Sequence, residues 1–396
     1  MKRYWKILTI CLVTVIVLGT FYIQSSLASG NIQVEFEKVS GNESLVENVV
    51  LTADYVIGDI HQPLKISEKE TTNLSNRPVV QQLTGLYAEA PTLQLVENYK
   101  QFMRGKSFFP SYFYEDEHVL VYVSIEGRGV NVAYGKAYFD IDILDKKSDE
   151  STPMKINLPK NRKLNWVDIA SIQIVDSDLK VIARGSGPDS GEDLIVYTID
   201  LNSKKITNEE VVFSIPAVEN GWYGFNIFND YYSNEPQKYL LFKAEAFEHE
   251  QGEGGPTVLA DDFMVYDIEK NKMVKSELPE DFEGDIRNAS VFNSVAYVPV
   301  QSENEVEIIQ YDIEAAKWEK KQTFAVDQSK DAETVPFVKI QDGKIYIISN
   351  TDDGHTLLIG DVNTGETLYE GKIKVKNQKT DQNDYRIYFH EINNAG

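Results

Sequence analysis

The sequence predicts an all-β fold built from one recurring unit. Three observations predict it. First, a short motif recurs along the chain, in which an aspartate lies between two apolar residues or between a tyrosine and an apolar residue. Second, each copy is followed by a short polar turn and a further alternating run, such as Lys272–Lys275. Third, helical periodicity is poor beyond residue 30. The aspartates that align the five copies are Asp142, Asp200, Asp267, Asp312 and Asp361. Such self-similarity is typical of repeat architectures.

The spacing of these aspartates indicates the size of the unit. The intervals are 58, 67, 45 and 49 residues, which bracket the roughly 40–50 residues of a four-stranded propeller blade. The last copy divides into four predicted strands joined by glycine-containing turns, since glycine reaches positive φ without steric cost. Those strands are 337–340, 344–349, 357–362 and 367–375. The prediction is therefore a β-propeller, with seven blades preferred and six as the alternative.

Earlier copies follow the same strand order with other turn residues. Ile172–Val175 and Leu179–Ala183 flank one such turn, and Val295–Val298 follows another. Over residues 107–376 the chain resembles bacterial β-propellers of the WD40 or quinoprotein-like kind. The Gly-His and Trp-Asp signatures of WD40 repeats and the tryptophan-docking motifs of quinoproteins are absent. The resemblance therefore implies a shape and no catalytic residue.

Three segments are expected. Residues 1–29 form a signal peptide or membrane anchor, residues 30–106 supply N-terminal strands and the first blade or blades, and residues 107–396 supply the remaining blades. The C-terminal strand at Tyr385–Ile392 is expected to pair with the N-terminal strands, because closing the ring removes exposed sheet edges.

The N-terminus carries an export signal. Lys2, Arg3 and Lys6 precede the uncharged run Ile7–Ile23, and Ser26-Leu27-Ala28 follows as a small-x-small site. Cleavage after Ala28 would release a secreted protein, whereas retention would leave a single-pass anchor through residues 7–23. We favour the anchor, with the propeller outside the cell membrane because basic residues stay inside. Cys11 is the only cysteine, so the exported part has none, a usage that resembles exported proteins of Gram-positive bacteria.

The charge balance limits the partners. The formal net charge is −23, and such a surface repels nucleic acid and anionic lipid headgroups. It attracts divalent cations or a basic protein partner. The simpler alternative is that the charge only keeps an exported domain soluble.

Acidic residues in predicted loops suggest a cation site. In an antiparallel blade the loops between strands two and three emerge on one face, and oxygen ligands gathered there suit Ca²⁺. Solvated loop ends are the alternative. The candidate ligands are Asp189, Glu192, Asp193, Asp352 and Asp353.

Aromatic residues beside an acidic loop suggest a binding site. Exposed tryptophan and tyrosine can stack on a sugar or hold a peptide, although packing between blades is the alternative. His249-Glu250 lacks the second histidine of a zinc helix. The candidate binding residues are Trp222, Tyr223, Tyr231, Tyr232, Glu248, His249 and Glu250.

Signatures of catalysis are missing from the sequence. It contains no Gly-x-Ser-x-Gly elbow, Walker loop or dinucleotide fingerprint. We therefore expect a non-enzymatic, membrane-tethered binding propeller, such as a sensory or regulatory ectodomain, with a protein or cell-envelope component as partner. A secreted calcium-dependent propeller hydrolase acting on phosphate esters or glycans is the alternative. The repeated aspartates are expected to bond the local backbone at turns.

Overall fold

The computed structural model describes Thr14 and residues 32–394 with internal gaps. The gaps are 59, 75–89, 128–136, 160–163, 188–190, 229–233, 250–255, 277, 279–281, 283–285, 303, 330–334, 353 and 377–384. The predicted anchor at residues 7–23 therefore lies outside the described residues, apart from Thr14. Within the described part, no helix has the length and apolar character needed to cross a bilayer.

The described residues form six antiparallel sheets, numbered here in chain order from sheet 1 to sheet 6. Sheet 1 contains β2 (Val49–Ile57), β3 (Ile60–Ser67), β4 (Thr71–Asn73) and β25 (Tyr385–Asn394). Sheet 2 contains β5 (Phe113–Glu115), β6 (Val119–Glu126), β7 (Tyr138–Asp145) and β8 (Glu150–Asn157). Sheet 3 contains β9 (Trp166–Val175), β10 (Asp178–Ser186), β11 (Glu192–Asp200) and β12 (Lys205–Ile215).

The later sheets repeat the pattern. Sheet 4 contains β13 (Gly221–Ile227), β14 (Tyr239–Glu248), β15 (Thr257–Asp267) and β16 (Lys272–Ser276). Sheet 5 contains β17 (Ser290–Phe292), β18 (Val295–Gln301), β19 (Glu305–Asp312) and β20 (Lys317–Ala325). Sheet 6 contains β21 (Phe337–Gln341), β22 (Lys344–Thr351), β23 (Gly354–Asp361), β24 (Thr367–Lys376) and β1 (Gln33–Gly41). The all-β prediction is confirmed, and the described residues supply six such sheets where seven blades were preferred.

Helical structure in the described part is brief. The α-helix α1 spans Ala90–Asn98, and short 3₁₀ segments occupy Glu43–Leu45, Pro110–Tyr112 and Ile286–Asn288. Helix α1 and the turns after it pack on sheet 2 through Leu95, Phe102 and Met103. These described residues lie between β4 and β5, within the segment 30–106 for which N-terminal strands and the first blade or blades were predicted.

Strands from the two ends of the chain are interleaved. The C-terminal β25 pairs with β2, and Leu51 lies opposite Ile392 in this pair. The N-terminal β1 pairs with β24 at the outer edge of sheet 6, and Phe36 lies opposite Ile373. The predicted pairing of the C-terminal strand with N-terminal strands is present, and sheets 1 and 6 each contain strands from both ends.

Consecutive sheets pack face to face through apolar side chains. Phe139 of sheet 2 meets Tyr197 of sheet 3 with ring centroids 5.2 Å apart, and Phe263 of sheet 4 meets Tyr311 of sheet 5 at 6.3 Å. Further buried clusters join sheet 3 to 4, sheet 5 to 6 and sheet 6 to 1. Alternation along each strand sends successive side chains to opposite faces, so sheets 3 to 6 each contact both neighbours. The arrangement is β-propeller-like.

The two edges of the sheets are called here the upper and lower rims. The upper rim is the edge where the first strand of each sheet begins, at Phe113, Trp166, Gly221, Ser290, Phe337 and Tyr385. The lower rim is the edge where those strands end. The turns from third to fourth strand lie on the lower rim, and the connections between sheets lie on the upper rim.

The repeated aspartates begin the lower-rim turns. The Oδ1 atom of Asp312 accepts a hydrogen bond from Ala315 N–H at 2.8 Å, and that of Asp361 accepts from Asn363 and Thr364 N–H at 2.8 and 2.9 Å. Asp200 and Asp267 bond the N–H three residues ahead in the same way. Four of the five aligned aspartates therefore have the predicted turn role.

The alignment was wrong by three residues in the first copy. There the turn is made by Asp145, whose Oδ1 accepts from Lys147 and Ser148 N–H at 3.0 and 2.8 Å. Asp142 lies inside β7, where its carboxylate instead pairs with Lys106 at 2.8 Å. Tyr-Phe-Asp-Ile-Asp-Ile-Leu-Asp offers acidic residues at three positions, and only the last one ends the strand.

Candidate functional site

Exposed apolar side chains gather at the upper rim. Within the described residues, large apolar side chains at least one-third exposed number eight, and six of them lie at this rim. Phe109 (57%), Trp166 (40%), Trp222 (46%) and Val335 (66%) stand at or just before the first strands of sheets 2, 3, 4 and 6. Val258 and Leu259 begin β15 at the same rim. Apolar groups gathered in this way mark a binding surface more often than a solvated one.

Three of these residues belong to successive sheets. Phe109 lies four residues before the first strand of sheet 2, Trp166 begins that of sheet 3, and Trp222 is the second residue of that of sheet 4. Two polar contacts connect the same sheets. The hydroxyl of Tyr112, in the 3₁₀ turn before β5, donates to Asp168 Oδ1 of sheet 3 at 2.6 Å, and Arg184 Nη1 of sheet 3 donates to the Phe225 carbonyl of sheet 4 at 3.0 Å.

The indole of Trp222 is held in place from below. It stacks on Phe247 with centroids 6.1 Å apart and planes at 24°. It also covers Gly224, where an added Cβ would lie 3.2 Å from Trp222 Cζ2 and 3.1 Å from Glu192 Oε2. A side chain at position 224 would displace the ring or the carboxylate. The small residue thus lets tryptophan and glutamate approach one another.

Glu192 is the buried carboxylate of this corner. It is 5% exposed, and its Oε1 lies 3.6 Å from Arg184 Nη1. Burial raises the pKa of Glu192, while the Arg184 charge and a hydrogen bond from the Phe225 backbone oppose that rise. Glu192 and Arg184 therefore form an ion pair below the upper rim.

A second polar group lies deeper in sheet 4. Lys243 Nζ contacts Glu245 Oε1 at 2.9 Å and Asp261 Oδ1 at 2.5 Å. The side-chain amide of Asn226 also donates to Glu245. Burial alone would lower the pKa of Lys243, but the hydrogen bonds that it donates to both carboxylates outweigh burial and raise that pKa. Lys243 is therefore protonated and already paired with two carboxylates.

The predicted binding residues that the structure describes lie at the upper end of sheet 4. Trp222 is exposed at the upper rim, and Tyr223 is half-buried against the apolar cluster between sheets 3 and 4. Glu248 and His249 are exposed where β14 ends, and His249 N–H donates to the Asn220 carbonyl at 2.7 Å. Glu250 lies outside the described residues.

Tyr231 and Tyr232 also lie outside the described residues.

The predicted calcium ligands that the structure describes do not converge on one place. Glu192 and Asp193 begin β11, so their side chains point to opposite faces of sheet 3. Glu192 pairs with Arg184, and Asp193 Oδ1 accepts from the Ser214 hydroxyl at 2.6 Å. Asp352 lies in sheet 6, and Asp189 and Asp353 lie outside the described part. Where side chains are described, no three potential ligands form a metal-binding group.

Sequence reasoning missed Trp166 and Arg184. Trp166 is the first residue of its first strand and Trp222 the second residue of the next one, so comparison of first-strand starts between copies was the available signal. Arg184 gave none, because its role depends on the Phe225 carbonyl of another sheet.

Comparisons with known proteins assign no function. No protein-family model and no curated protein matches the sequence. A Synechocystis apocarotenoid oxygenase mutant aligns with 9% identity and a TM-score of 0.43, covering 88% of this chain and 97% of that one. Dipeptidyl peptidase 4 of Porphyromonas gingivalis aligns with 9% identity and a TM-score of 0.34, covering 63% of this chain. The chain spans only 37% of that peptidase's length. At these identities and scores the alignments carry no argument about activity.

Proposed function

We propose that the chain is a six-bladed β-propeller that works outside the cytoplasmic membrane as a non-enzymatic binding module. Six sheets in chain order, apolar contacts between five successive pairs and the interleaved chain ends support a closed ring. In such a ring the first strands line a central channel. The upper rim then surrounds one mouth of that channel.

The partner is a protein or cell-envelope component that binds the upper rim. The observation that carries this proposal is the exposure of Phe109, Trp166 and Trp222 at or just before the first strands of three successive sheets. Tryptophan and other aromatic residues dominate binding energy where they become buried at an interface. Trp166 and Trp222 lie within strands and Phe109 directly precedes a 3₁₀ turn, so little order is lost on binding.

The location is proposed from the sequence. The apolar segment 7–23 follows a basic N-terminus, as in a single-pass anchor with its N-terminus inside. Strand β1 begins at the upper rim, because Gln33 lies opposite Lys376 at the end of β24. Residues 24–32 reach at most about 30 Å when fully extended. A retained anchor would therefore keep the upper rim close to the membrane, within reach of a membrane-bound partner.

Photo-crosslinking in the native envelope tests the proposal. A photoreactive amino acid replaces Trp222 or Trp166 in the full chain, and Val39, an exposed residue of β1 away from the upper rim, is the matched control. We expect one identified partner to be captured from both rim positions and not from position 39. Phe109→Ala in the same chains should reduce that capture without lowering the melting temperature.

Two results would overturn the proposal. The first is identical capture from position 39 and from the rim. The second is loss of folding in each rim variant, because that would make the aromatic side chains part of the core. The calcium-dependent hydrolase has no supporting contact among the described residues and is not proposed.

A further inference from the structure

An apolar strip crosses three strands at the upper corner of sheet 4. Trp222 of β13 lies opposite Phe247 of β14, and Phe247 lies opposite Val258 of β15. Directly opposed residues in an antiparallel pair share one face. Trp222 and Val258 are both about half exposed. Leu259, also about half exposed, is the extra residue of β15 at a register shift beside Phe247. The strip, defined as Trp222, Phe247 and Val258, crosses the three strands and reaches solvent at both ends.

The described charges around the strip are negative. Glu248 follows Phe247 and is exposed, Glu219 is exposed just before β13, and Asp261 is exposed two residues after Leu259. The nearby cations already have partners. Lys243 is held between Glu245 and Asp261, and Arg184 contacts Glu192 and the Phe225 carbonyl.

We infer that this strip binds a basic, amphipathic segment of a partner protein. An apolar side chain of the segment would pack on Trp222 and Val258, and flanking lysine or arginine side chains would face Glu248 and Glu219. The indole adds attraction for a cation placed over its face. The inference rests on the proposed function and specifies the chemistry of its partner. An anionic glycan or lipid headgroup is disfavoured by the same charges.

Synthetic peptides of defined composition test the inference on the full-length chain, purified in a non-ionic detergent. Three fluorescently labelled twelve-residue probes are compared by anisotropy, one of lysine and leucine, one of lysine and serine, and one of glutamate and leucine. We expect only the lysine and leucine probe to bind well, with affinity that falls as salt rises. Its affinity should drop about tenfold in Trp222→Ala, as for a buried interface tryptophan.

Matched variants separate local recognition from overall charge. Glu248→Gln should weaken the lysine and leucine probe about threefold, because one facing charge is lost. Glu314→Gln removes the same charge from the lower rim, where Glu314 contacts Lys238 at 3.2 Å, and should leave binding unchanged. Unchanged affinity in Trp222→Ala, or equal losses in the two glutamine variants, would overturn the inference, since net charge alone would then explain binding.

The inference and the proposed function fail in different ways. A partner captured by crosslinking at position 222 whose contacting segment is not basic would overturn the inference and leave the binding module standing. Failure to capture any partner specifically from the upper rim would remove the proposed function itself.

Discussion

The lower and upper rims differ in how strictly they repeat. At the lower rim an aspartate starts each third-to-fourth-strand turn from sheet 2 to sheet 6, and the fifth residue has positive φ, at Asp149, Lys204, Asn271, Ala316 and Gly365. In four of these turns the residue after the aspartate donates its N–H to the preceding hairpin, as Ile268 does to Lys238 at 2.9 Å. At the upper rim the first strands begin with different residues, and exposed aromatic side chains stand at or near the start of three of them, at Phe109, Trp166 and Trp222. Repetition therefore marks the scaffold, and departure from it marks the candidate site.

The largest expected difference between the rims is in the unfolding free energy lost when one apolar residue of each rim is replaced by alanine. Ile268 is fully buried after β15, so Ile268→Ala should cost about 2–5 kcal/mol of unfolding free energy through lost burial and a cavity. Trp222→Ala should cost less, about 1 kcal/mol, because the indole is 46% exposed and packs on Phe247 and Gly224. Urea unfolding of both variants measures the contrast. Comparable losses would show that the upper rim is also structural.

Buried His355 brings a pH dependence to the upper end of sheet 6. Its ring packs edge-on against Phe389 at 5.2 Å, and its Nδ1 has no hydrogen-bond partner in the described part of the chain. Burial lowers the pKa of His355 to about 4. The unfolded chain then binds the proton first, so this contribution to stability is present above pH 6.5 and is lost as the pH falls towards 4.

The size of this effect follows from the shift. It amounts to at most about 3 kcal/mol between neutral pH and pH 4. His355→Phe keeps an aromatic ring and removes the titration, so its unfolding free energy should fall less than that of the parent chain over this range. Urea unfolding at pH 8, 6 and 5 gives the two slopes. Parallel slopes would mean that His355 is not protonated on unfolding.

Each aspartate turn should make a moderate contribution to the stability of the fold. Asp361→Ala removes an acceptor of two backbone N–H groups and should cost about 1–2 kcal/mol. Asp361→Asn keeps an acceptor oxygen and should cost less. Thermal melting of the two variants checks the order, and an asparagine variant as unstable as the alanine one would point to charge instead of hydrogen bonding.

The smallest expected effect is a gain in unfolding free energy from a substitution in a lower-rim turn. Ala316 has φ of 51° at the position where the last turn has Gly365, and a non-glycine residue is strained there. Ala316→Gly should therefore raise the unfolding free energy by up to about 1 kcal/mol. Gly365→Ala should lower it, also because the new Cβ would lie 2.6 Å from Gln322 Oε1. A loss of stability in Ala316→Gly would show that the turn tolerates the side chain without strain.

Local patterns predicted the lower rim well and the upper rim poorly. The turns depend on residues within five positions of each aspartate, so Asp200, Asp267, Asp312 and Asp361 were recognisable from sequence. Glu192 and Asp193 were assigned to a loop, but β11 begins at Glu192 and both side chains are buried. Arg184 and Gly224 acquire their roles only when sheets 3 and 4 meet. Contacts between sheets join residues that are far apart in the sequence, and a single sequence contains no signal for them.

The interleaving of the chain ends bears on how the protein is made. Ile392 of β25 packs with Leu51 and Ile66 of sheet 1, residues synthesised more than three hundred positions earlier. Until β25 has been synthesised, this early sheet lacks its first strand, and β2 has unpaired backbone groups and exposed aliphatic side chains. A nascent chain in that state is vulnerable to aggregation and proteolysis. Sheet 1 can therefore complete its folding only after β25 has been made.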